Sequence, residues 1–591
     1  MSDNPAWEQR FVAGRLSLPA SARHDPDRGA YLGGTGGWPQ VYVLDEDRPR
    51  RLTDAVGVSR VAISPDGEQV WWFNRAVTGG PGRWMITPFH GGPTVQALAS
   101  QPGPQPLGGL AFADDGTAAL GVRDGGRSQV YLIAADGQAD LLLDSEDDLF
   151  VGGLSADGAL LCLTRPVAGN PRRPEIAVYQ TSDGSVAAML ALPGGAHPAG
   201  FCPGRDDHRL LVLHEPTGRA MPLIYDVATG TQAPVDLGLV GETRAEWYPD
   251  GRHLLVCHIY QARSTLLRHD LASGASVPIG PAQGFVRDAT TRADGSVDLI
   301  WSSPADPPGC YRISPAGRQR LLLRRPNEPP TPLALTSDVW APGQAGPVHA
   351  LISTPKVVDG RPSPAIFVLH GGPSACDTDS FGPYVAAWVD HGYTVVRVNY
   401  RGSTGYGTAW RTGLDGAGGL PALDDMAAVR QHLIETGVID PAKIAIAGAS
   451  YGGYLVLLAI GRHPDDYAVA IAEAPIADCV AAYTAEPERL RALDRVLFGG
   501  TPDERPEVWS AGNPITFVGR VRTPVLIIAG IEDPRCPFEQ VQRYVEALAQ
   551  RGASHRLISY PGGHGTPGGP ERIRQVREQL AFVTAHLPTG G

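Results

Sequence analysis

The sequence predicts two folds in tandem: a seven-bladed β-propeller over residues 23–325 and an open α/β fold over residues 346–591. Three observations carry this prediction. Turn dipeptides recur through the first half at roughly 45 residues, the blade length of a propeller. A proline-rich stretch, residues 326–345, then changes the pattern to apolar strands alternating with helical segments. Within that second half, Gly448-Ala449-Ser450-Tyr451-Gly452 stands between a strand-like run and a helical run.

The chain has 591 residues, too many for one hydrophobic core, so two or more domains are expected. Hydrophobic content of 42% with 19% charged residues is ordinary for globular protein. A net charge of −12 and the lack of a basic block argue against a nucleic-acid partner or an anionic membrane surface. The segment Met1 to Glu8 has neither a basic nor an apolar leader region, and no run reaches the length of a membrane span. Seven cysteines (Cys162, Cys202, Cys257, Cys310, Cys376, Cys479 and Cys536) are scattered and never spaced as metal ligands, which fits reduced thiols and a cytoplasmic location. No metal or organic cofactor is implied. Self-association into a homo-oligomer is left open.

Residues 1–22 read as an N-terminal arm. After it, short apolar runs such as Val61 to Ile63, Val130 to Ile133 and Leu254 to Cys257 are separated by hairpin signals. One turn series runs through Asp66-Gly67, Asp115-Gly116, Asp157-Gly158, Asp206-Asp207, Asp250-Gly251 and Asp294-Gly295. These pairs supply the positive φ that tight hairpins demand. A second series runs from Asp45–Asp47 through Gly91-Gly92, Asp136-Gly137, Asp183-Gly184, Thr229-Gly230 and Ser273-Gly274 to Ala316-Gly317, and its seven members suggest seven blades. A β-sandwich or a pair of barrels is the alternative, and the repeat period argues against it.

The stretch Arg325-Pro326-Asn327-Glu328-Pro329-Pro330-Thr331-Pro332 reads as an extended connector. Beyond it the expected strands are Ala365 to Leu369, Thr394 to Asn399, Lys443 to Ala447, Ala468 to Ala472, Pro524 to Ala529 and Arg556 to Tyr560. Helices are expected near Tyr384 to His391, Leu423 to Thr436, Tyr454 to Arg462 and Phe538 to Arg551. Placed mid-sheet, the serine turn makes this an α/β-hydrolase fold.

Glycine makes up 73 of 591 residues, so Gly-x-Ser-x-Gly alone is expected by chance roughly 0.4 times and needs partners to mean anything. A serine hydroxyl needs a base, usually a histidine held by a carboxylate, and in this fold the chain order is Ser, acid, His. Asp533 follows one strand end and His564, between glycines, follows the next. Asp533 is preferred over Glu532 on family pattern, with Asp478 and Asp494 as remoter options. His391, His463 and His555 read as surface or packing residues. A tetrahedral oxyanion needs preorganised donors. The expected pair is the backbone N–H of Tyr451 and that of Gly372 in His370-Gly371-Gly372-Pro373, with Gly371 as the alternative to Gly372.

These motifs, together with Asn399-Tyr400-Arg401-Gly402-Ser403-Thr404-Gly405-Tyr406-Gly407 and Asp533-Pro534-Arg535-Cys536-Pro537, resemble the prolyl oligopeptidase family of serine peptidases, most closely its acylaminoacyl-peptidase-like branch. The resemblance spans the second half, and a propeller before it is also what that family carries. It implies peptide-bond hydrolysis through an acyl-enzyme on Ser450, with His564 as base and Asp533 orienting it. It also implies that Arg535 hydrogen-bonds a substrate carbonyl, and that the propeller screens the active site so that short peptides are the substrates. Cys536 stands where a valine is more usual, beside the specificity pocket, either altering that pocket or serving as a small apolar filler.

The expected activity is a serine peptidase acting on short peptides, of aminopeptidase or acylaminoacyl-peptidase type. The alternative is an esterase or amide hydrolase of small molecules such as aminoacylated natural products. A scaffold with a decayed hydrolase domain is disfavoured by the complete Ser, Asp, His set. Recognition of a free amine calls for a carboxylate near the substrate's N-terminus, and Glu473, Glu486 and Glu488 lie where one could arise, as do propeller residues.

Overall fold

The computed structural model describes the chain apart from residues 1–4, 13–14, 35–37, 76–81, 99–108, 125, 168–169, 217, 219, 326–328, 332–333, 356–360, 566–568 and 589–591. Part of the expected arm (residues 1–4) and of the expected connector (Pro326, Asn327, Glu328 and Pro332) therefore lies outside the described residues. The chain divides into two compact units, one of Ala13–Ser302 and Pro308–Glu328, the other of Met1–Val12, Ser303–Pro307 and Pro329–Gly591.

The first unit is a seven-bladed β-propeller of seven antiparallel sheets, six of four strands and the first of five. Its tight turns are built by aspartate. The carboxylates of Asp66, Asp115, Asp157, Asp250 and Asp294 each accept the N–H two residues on at 2.9–3.1 Å. That bond mimics a backbone turn, and the glycine that follows takes a positive φ, 77° at Gly67 and 62° at Gly251. The variant turn lacking glycine uses Asp207, which accepts from the Arg209 N–H at 3.1 Å.

Among the described residues strand pairing stays within each blade. The last blade meets the first through side chains: Leu16, Tyr31 and Leu44 pack with Ile300, Cys310 and Leu323. Arg312 donates to both oxygens of fully buried Asp298, at 2.6 and 2.9 Å, and to Asp47 of the first blade at 2.9 Å. A buried carboxylate is tolerable only with such partners. Two short strands, Arg15–Leu16 and Ala20–Ser21, pair with Arg28–Gly34 of the first blade, so the stretch read as an arm contributes to the propeller.

The second unit is an α/β-hydrolase fold around one eight-stranded sheet. Its strands are β1 (Ala334–Gly343), β2 (Gly346–Pro355), β3 (Ser363–Leu369), β4 (Thr394–Asn399), β5 (Ile439–Ala449), β6 (Val469–Glu473), β7 (Val525–Gly530) and β8 (His555–Tyr560). Their order is β1-β2-β4-β3-β5-β6-β7-β8, antiparallel through β4 and parallel from there to β8. Strand β1 runs through the stretch read as connector. Pro342 sits near its end, on an edge strand paired on one side only, where a missing N–H costs the sheet least.

The two-residue period of the strands sorts the core. Ile366, Val395, Ala445, Ala447, Ile471, Leu526 and Ile528 face one way, with Trp388, Val576 and Leu580. Phe367, Val396, Val398, Ile444, Ile446, Ala470 and Ile527 face the other, with Leu455, Leu458 and Tyr544. Helices α1 (Ala6–Phe11), α2 (Pro383–Asp390) and, at the C-terminal end, Pro570–His586 cover the first face. Leu420–Glu435, Tyr451–Arg462 and Phe538–Gln550 cover the second. Helix α1 is anchored by buried Trp7, by an Arg10–Asp390 ion pair at 2.5 Å and by Glu8 accepting from Arg577 at 2.5 Å. Among the described residues, no helix is long and apolar enough to cross a membrane.

Candidate active site

The central strand β5 ends at Ala449, and the helix Tyr451–Arg462, here α3, begins one residue later. Ser450 alone makes the turn, with φ 57° and ψ −120°. For a residue with a Cβ this backbone costs on the order of 1–3 kcal/mol, so the surroundings must enforce it. The flanking glycines show how. A Cβ on Gly448 would meet the Gly452 carbonyl at 2.5 Å, and one on Gly452 would meet the Leu369 carbonyl oxygen at 2.2 Å. Gly452→Ala is therefore expected to lose about 1–3 kcal/mol of stability or more through overpacking, read as a drop in unfolding midpoint.

Ser450 occupies the N-cap position of α3 without making a side-chain cap bond. Its Oγ lies 3.0 Å from His564 Nε2, and His564 Nδ1 lies 2.7 Å from Asp533 Oδ2. The two loops that carry these partners are tied together. Past β7, Ile531 N–H donates to the Tyr560 carbonyl and Glu532 N–H to that of Gly562, both at 3.0 Å, which extends the β7–β8 pairing to the loops. Gly530 permits the approach, since a Cβ there would meet the Gly563 and Gly562 carbonyl oxygens at 2.5 and 2.6 Å.

Asp533 is buried, and its other oxygen accepts the N–H groups of Arg535 and Cys536 at 2.8 and 2.9 Å. Three donors thus hold a carboxylate that burial would otherwise destabilise. The neighbouring Glu532 side chain is exposed. Asp478 is spent elsewhere, capping the helix that starts at Cys479 and accepting from Asn513. His391 and His555 turn their Nδ1 atoms to local backbone carbonyls. Asp533, Cys536 and His564 offer ligand atoms within 4.8 Å of one another. Two of the three groups are engaged with each other, and burial pushes the Cys536 thiol well above its usual range, so it stays a protonated, poor metal ligand.

A cavity of about 60 Å³ opens on Ser450. Gly372, Tyr451, Arg535 and Cys536 all line it, so each of these sequence-predicted residues stands at one site with the serine. Tyr451 is the first residue of α3, so its N–H is among those with no intrahelical acceptor, at the positive end of the helix. Much of the wall was not anticipated from the sequence. The helix Glu488–Phe498 contributes Leu490, Leu493 and Leu497, whose i, i+3, i+7 spacing is the amphipathic signal that could have found it. Two carboxyl groups complete the lining, Glu486 and Asp494. Burial, then the nearness of Glu486, pushes Asp494 up to about 8, and burial also raises Glu486. At neutral pH the pair keeps a proton between them. Glu473 and Glu488 are committed to arginines, Glu473 to Arg572 and Glu488 to Arg491 and Arg495.

Residues 379–589 match the prolyl oligopeptidase family. The second unit belongs to the prolyl oligopeptidase family. Among curated relatives of this family domain's chain, the acylamino-acid-releasing enzyme of Arabidopsis thaliana is 27% identical over 416 residues, covering 64% of this chain and 54% of the relative. The Mus musculus acylamino-acid-releasing enzyme is 26% identical, covering 53% and 46%. The chain spans about half the length of the curated relatives it matches. Among solved structures, a Mycobacterium tuberculosis puromycin-hydrolyzing peptidase superposes with a TM-score of 0.85 at 20% identity, covering 100% of this chain and 97% of the other. An acylaminoacyl peptidase of Pyrococcus horikoshii gives 0.78 at 16% identity, covering 99% and 98%. These similarities establish the fold.

Proposed function

We propose that this chain is a serine peptidase that cleaves short peptides through an acyl-enzyme on Ser450. The observation that carries the reading is His564, which reaches Ser450 Oγ at 3.0 Å with one ring nitrogen and Asp533 at 2.7 Å with the other. The Asp533 carboxylate accepts from Nδ1–H, so Nε2 is left as the base that takes the serine proton. Oγ then bonds to the scissile carbonyl carbon, and the oxyanion so formed is met by the N–H groups of Gly372 and Tyr451. The imidazolium returns its proton to the leaving amine as the C–N bond breaks. Water, deprotonated by the same Nε2, attacks the ester and frees Ser450. Arg535, with fixed guanidinium donors at the cavity, is the group to hold a substrate carbonyl.

Relatives carry names for two chemistries, release of acylamino acids and hydrolysis of puromycin. The cavity's own carboxyl groups support the free-amine form, an aminopeptidase. Of the three candidate glutamates only Glu486 lines the cavity, and a pair holding one proton between two carboxyls keeps one negative charge to meet an ammonium. A free-amine aminoacyl anilide is expected to be cleaved with kcat/KM about 10-fold or more above its N-acetylated form, the worth of one charged hydrogen bond. Glu486→Gln should narrow that ratio. Equal turnover of the two, or a preference for the acetylated one, would replace this reading by the acylaminoacyl one. Serine-dependent cleavage of p-nitrophenyl esters with no cleavage of any anilide would favour the alternative, an esterase or amide hydrolase of small molecules.

A further inference from the structure

The motif Asn399 to Gly407 contributes none of the groups assigned above, yet it is among the most distinctive stretches of the sequence. Its residues converge on His370, the residue that opens the glycine turn beside Ser450. The Tyr400 ring stacks on the His370 ring, with centroids 4.4 Å apart and planes 13° from parallel. Tyr400 is fully buried, and its hydroxyl donates to the His370 carbonyl at 2.6 Å. Ser403 Oγ lies 2.8 Å from His370 Nε2, and Thr404 N–H donates to the Ala375 carbonyl at 2.9 Å. The other face of the site is also within reach, since the Tyr400 and Tyr451 rings are 6.4 Å apart.

The consequence lies in one peptide plane. His370 Nδ1 lies 2.9 Å from the Gly371 carbonyl oxygen. A carbonyl only accepts, so the proton is on Nδ1, and Nε2 accepts from the Ser403 hydroxyl. Burial favours the neutral ring that this arrangement requires. The Gly371–Gly372 peptide is trans, and across a trans peptide the C=O and the next N–H point in opposite directions. Tying the Gly371 oxygen to the imidazole therefore turns the Gly372 N–H away from it. Gly372 lines the cavity with Ser450.

We infer that His370 and Tyr400 are positioning residues that aim the Gly372 N–H at the oxyanion, and that Ser403 and the rest of the 399–407 loop hold them in that pose. Neither touches substrate. The inference rests on the reading of Ser450 as nucleophile and Gly372 as donor. A flexible glycine pair would otherwise sample both directions of the peptide, because glycine has no side chain to oppose rotation. The clamp replaces that freedom with one stacked ring and three hydrogen bonds.

The test compares wild type, Tyr400→Phe, which removes only the hydroxyl bond, and His370→Phe, which keeps an aromatic ring but loses both ring nitrogens. Three quantities are read on each: kcat and KM for an aminoacyl anilide, affinity for an aminoacyl aldehyde, and affinity for the free amino acid product. Wild type must first show turnover that Ser450→Ala abolishes; without that, it is the parent reading that fails. Given it, Tyr400→Phe is expected to lower kcat about 10-fold and His370→Phe about 100-fold, up to the worth of one oxyanion donor, with KM changed less than about twofold. Aldehyde affinity, which needs the oxyanion donors, should fall in parallel, and product affinity should hold. If a folded Tyr400→Phe keeps wild-type kcat and aldehyde affinity, or loses product and aldehyde binding equally, the positioning role is wrong. Should His370→Phe fail to fold, the Tyr400→Phe result alone decides.

Discussion

Ser450→Ala is expected to lower kcat by about 10⁶-fold, to the residual level left by the oxyanion donors and substrate binding. The size follows from the geometry around one atom. Oγ is the hydroxyl oxygen that His564 Nε2 reaches at 3.0 Å, and the strained turn presents it at the cavity mouth. Alanine keeps the Cβ and the backbone, so the unfolding midpoint should stay within a degree or two or rise as the turn relaxes. Anilide turnover and a thermal melt, run on the same preparation, check both halves. Activity within about 100-fold of wild type would remove Ser450 from the role, because no neighbouring hydroxyl stands at His564 to take over.

Asp533→Asn carries the second large effect, a fall in kcat of about 10⁴-fold, against little change for Glu532→Gln. The asymmetry is a matter of counting donors. Asp533 receives three, His564 Nδ1 on one oxygen and the N–H groups of Arg535 and Cys536 on the other. Asparagine has a single acceptor oxygen. If it serves the two backbone N–H groups, its NH₂ faces Nδ1 and forces the proton to Nε2, where it blocks the base. If it is flipped, two buried N–H groups lose their partner at about 1–3 kcal/mol. Glu532 is exposed, so its amide variant changes little. Side-by-side kcat values for the two variants decide the matter, and a larger loss in Glu532→Gln would move the acid.

The juxtaposition of Ser450, Asp533 and His564 was legible because each follows a parallel strand, and consecutive strand ends in such a sheet converge on one edge. The propeller was legible because its turn chemistry is local, an aspartate and a glycine in adjacent positions repeated along the chain. What stayed hidden had weaker local signals. Strand β1 lies in a stretch whose prolines suggested a connector, and only pairing with β2 reveals it as an edge strand. The antiparallel β2 was missed as well, and so was the helix Pro570–His586, whose face is partly glutamine: Gln575 and Gln579 are fully buried, which apolar periodicity does not detect. Glu486 and Asp494 look like ordinary surface acids in sequence. Their cavity position depends on how two short helices fold back toward Ser450, a tertiary fact with no local trace.

The anchoring of Ala6–Phe11 has a consequence for the order in which the protein can be made. Trp7 and Arg10 belong to the same core as Trp388 and Val583, yet about 320 residues of chain separate Arg10 from its partner Pro330. The propeller is thus an insertion within the hydrolase unit, not a module placed before it. On a ribosome the first helix emerges with no surface to bind and must wait through the whole propeller, which folds meanwhile by blade-local pairing. Closing the hydrolase unit then means recapturing a segment synthesised long before, against the entropy of a loop that the folded propeller has already shortened.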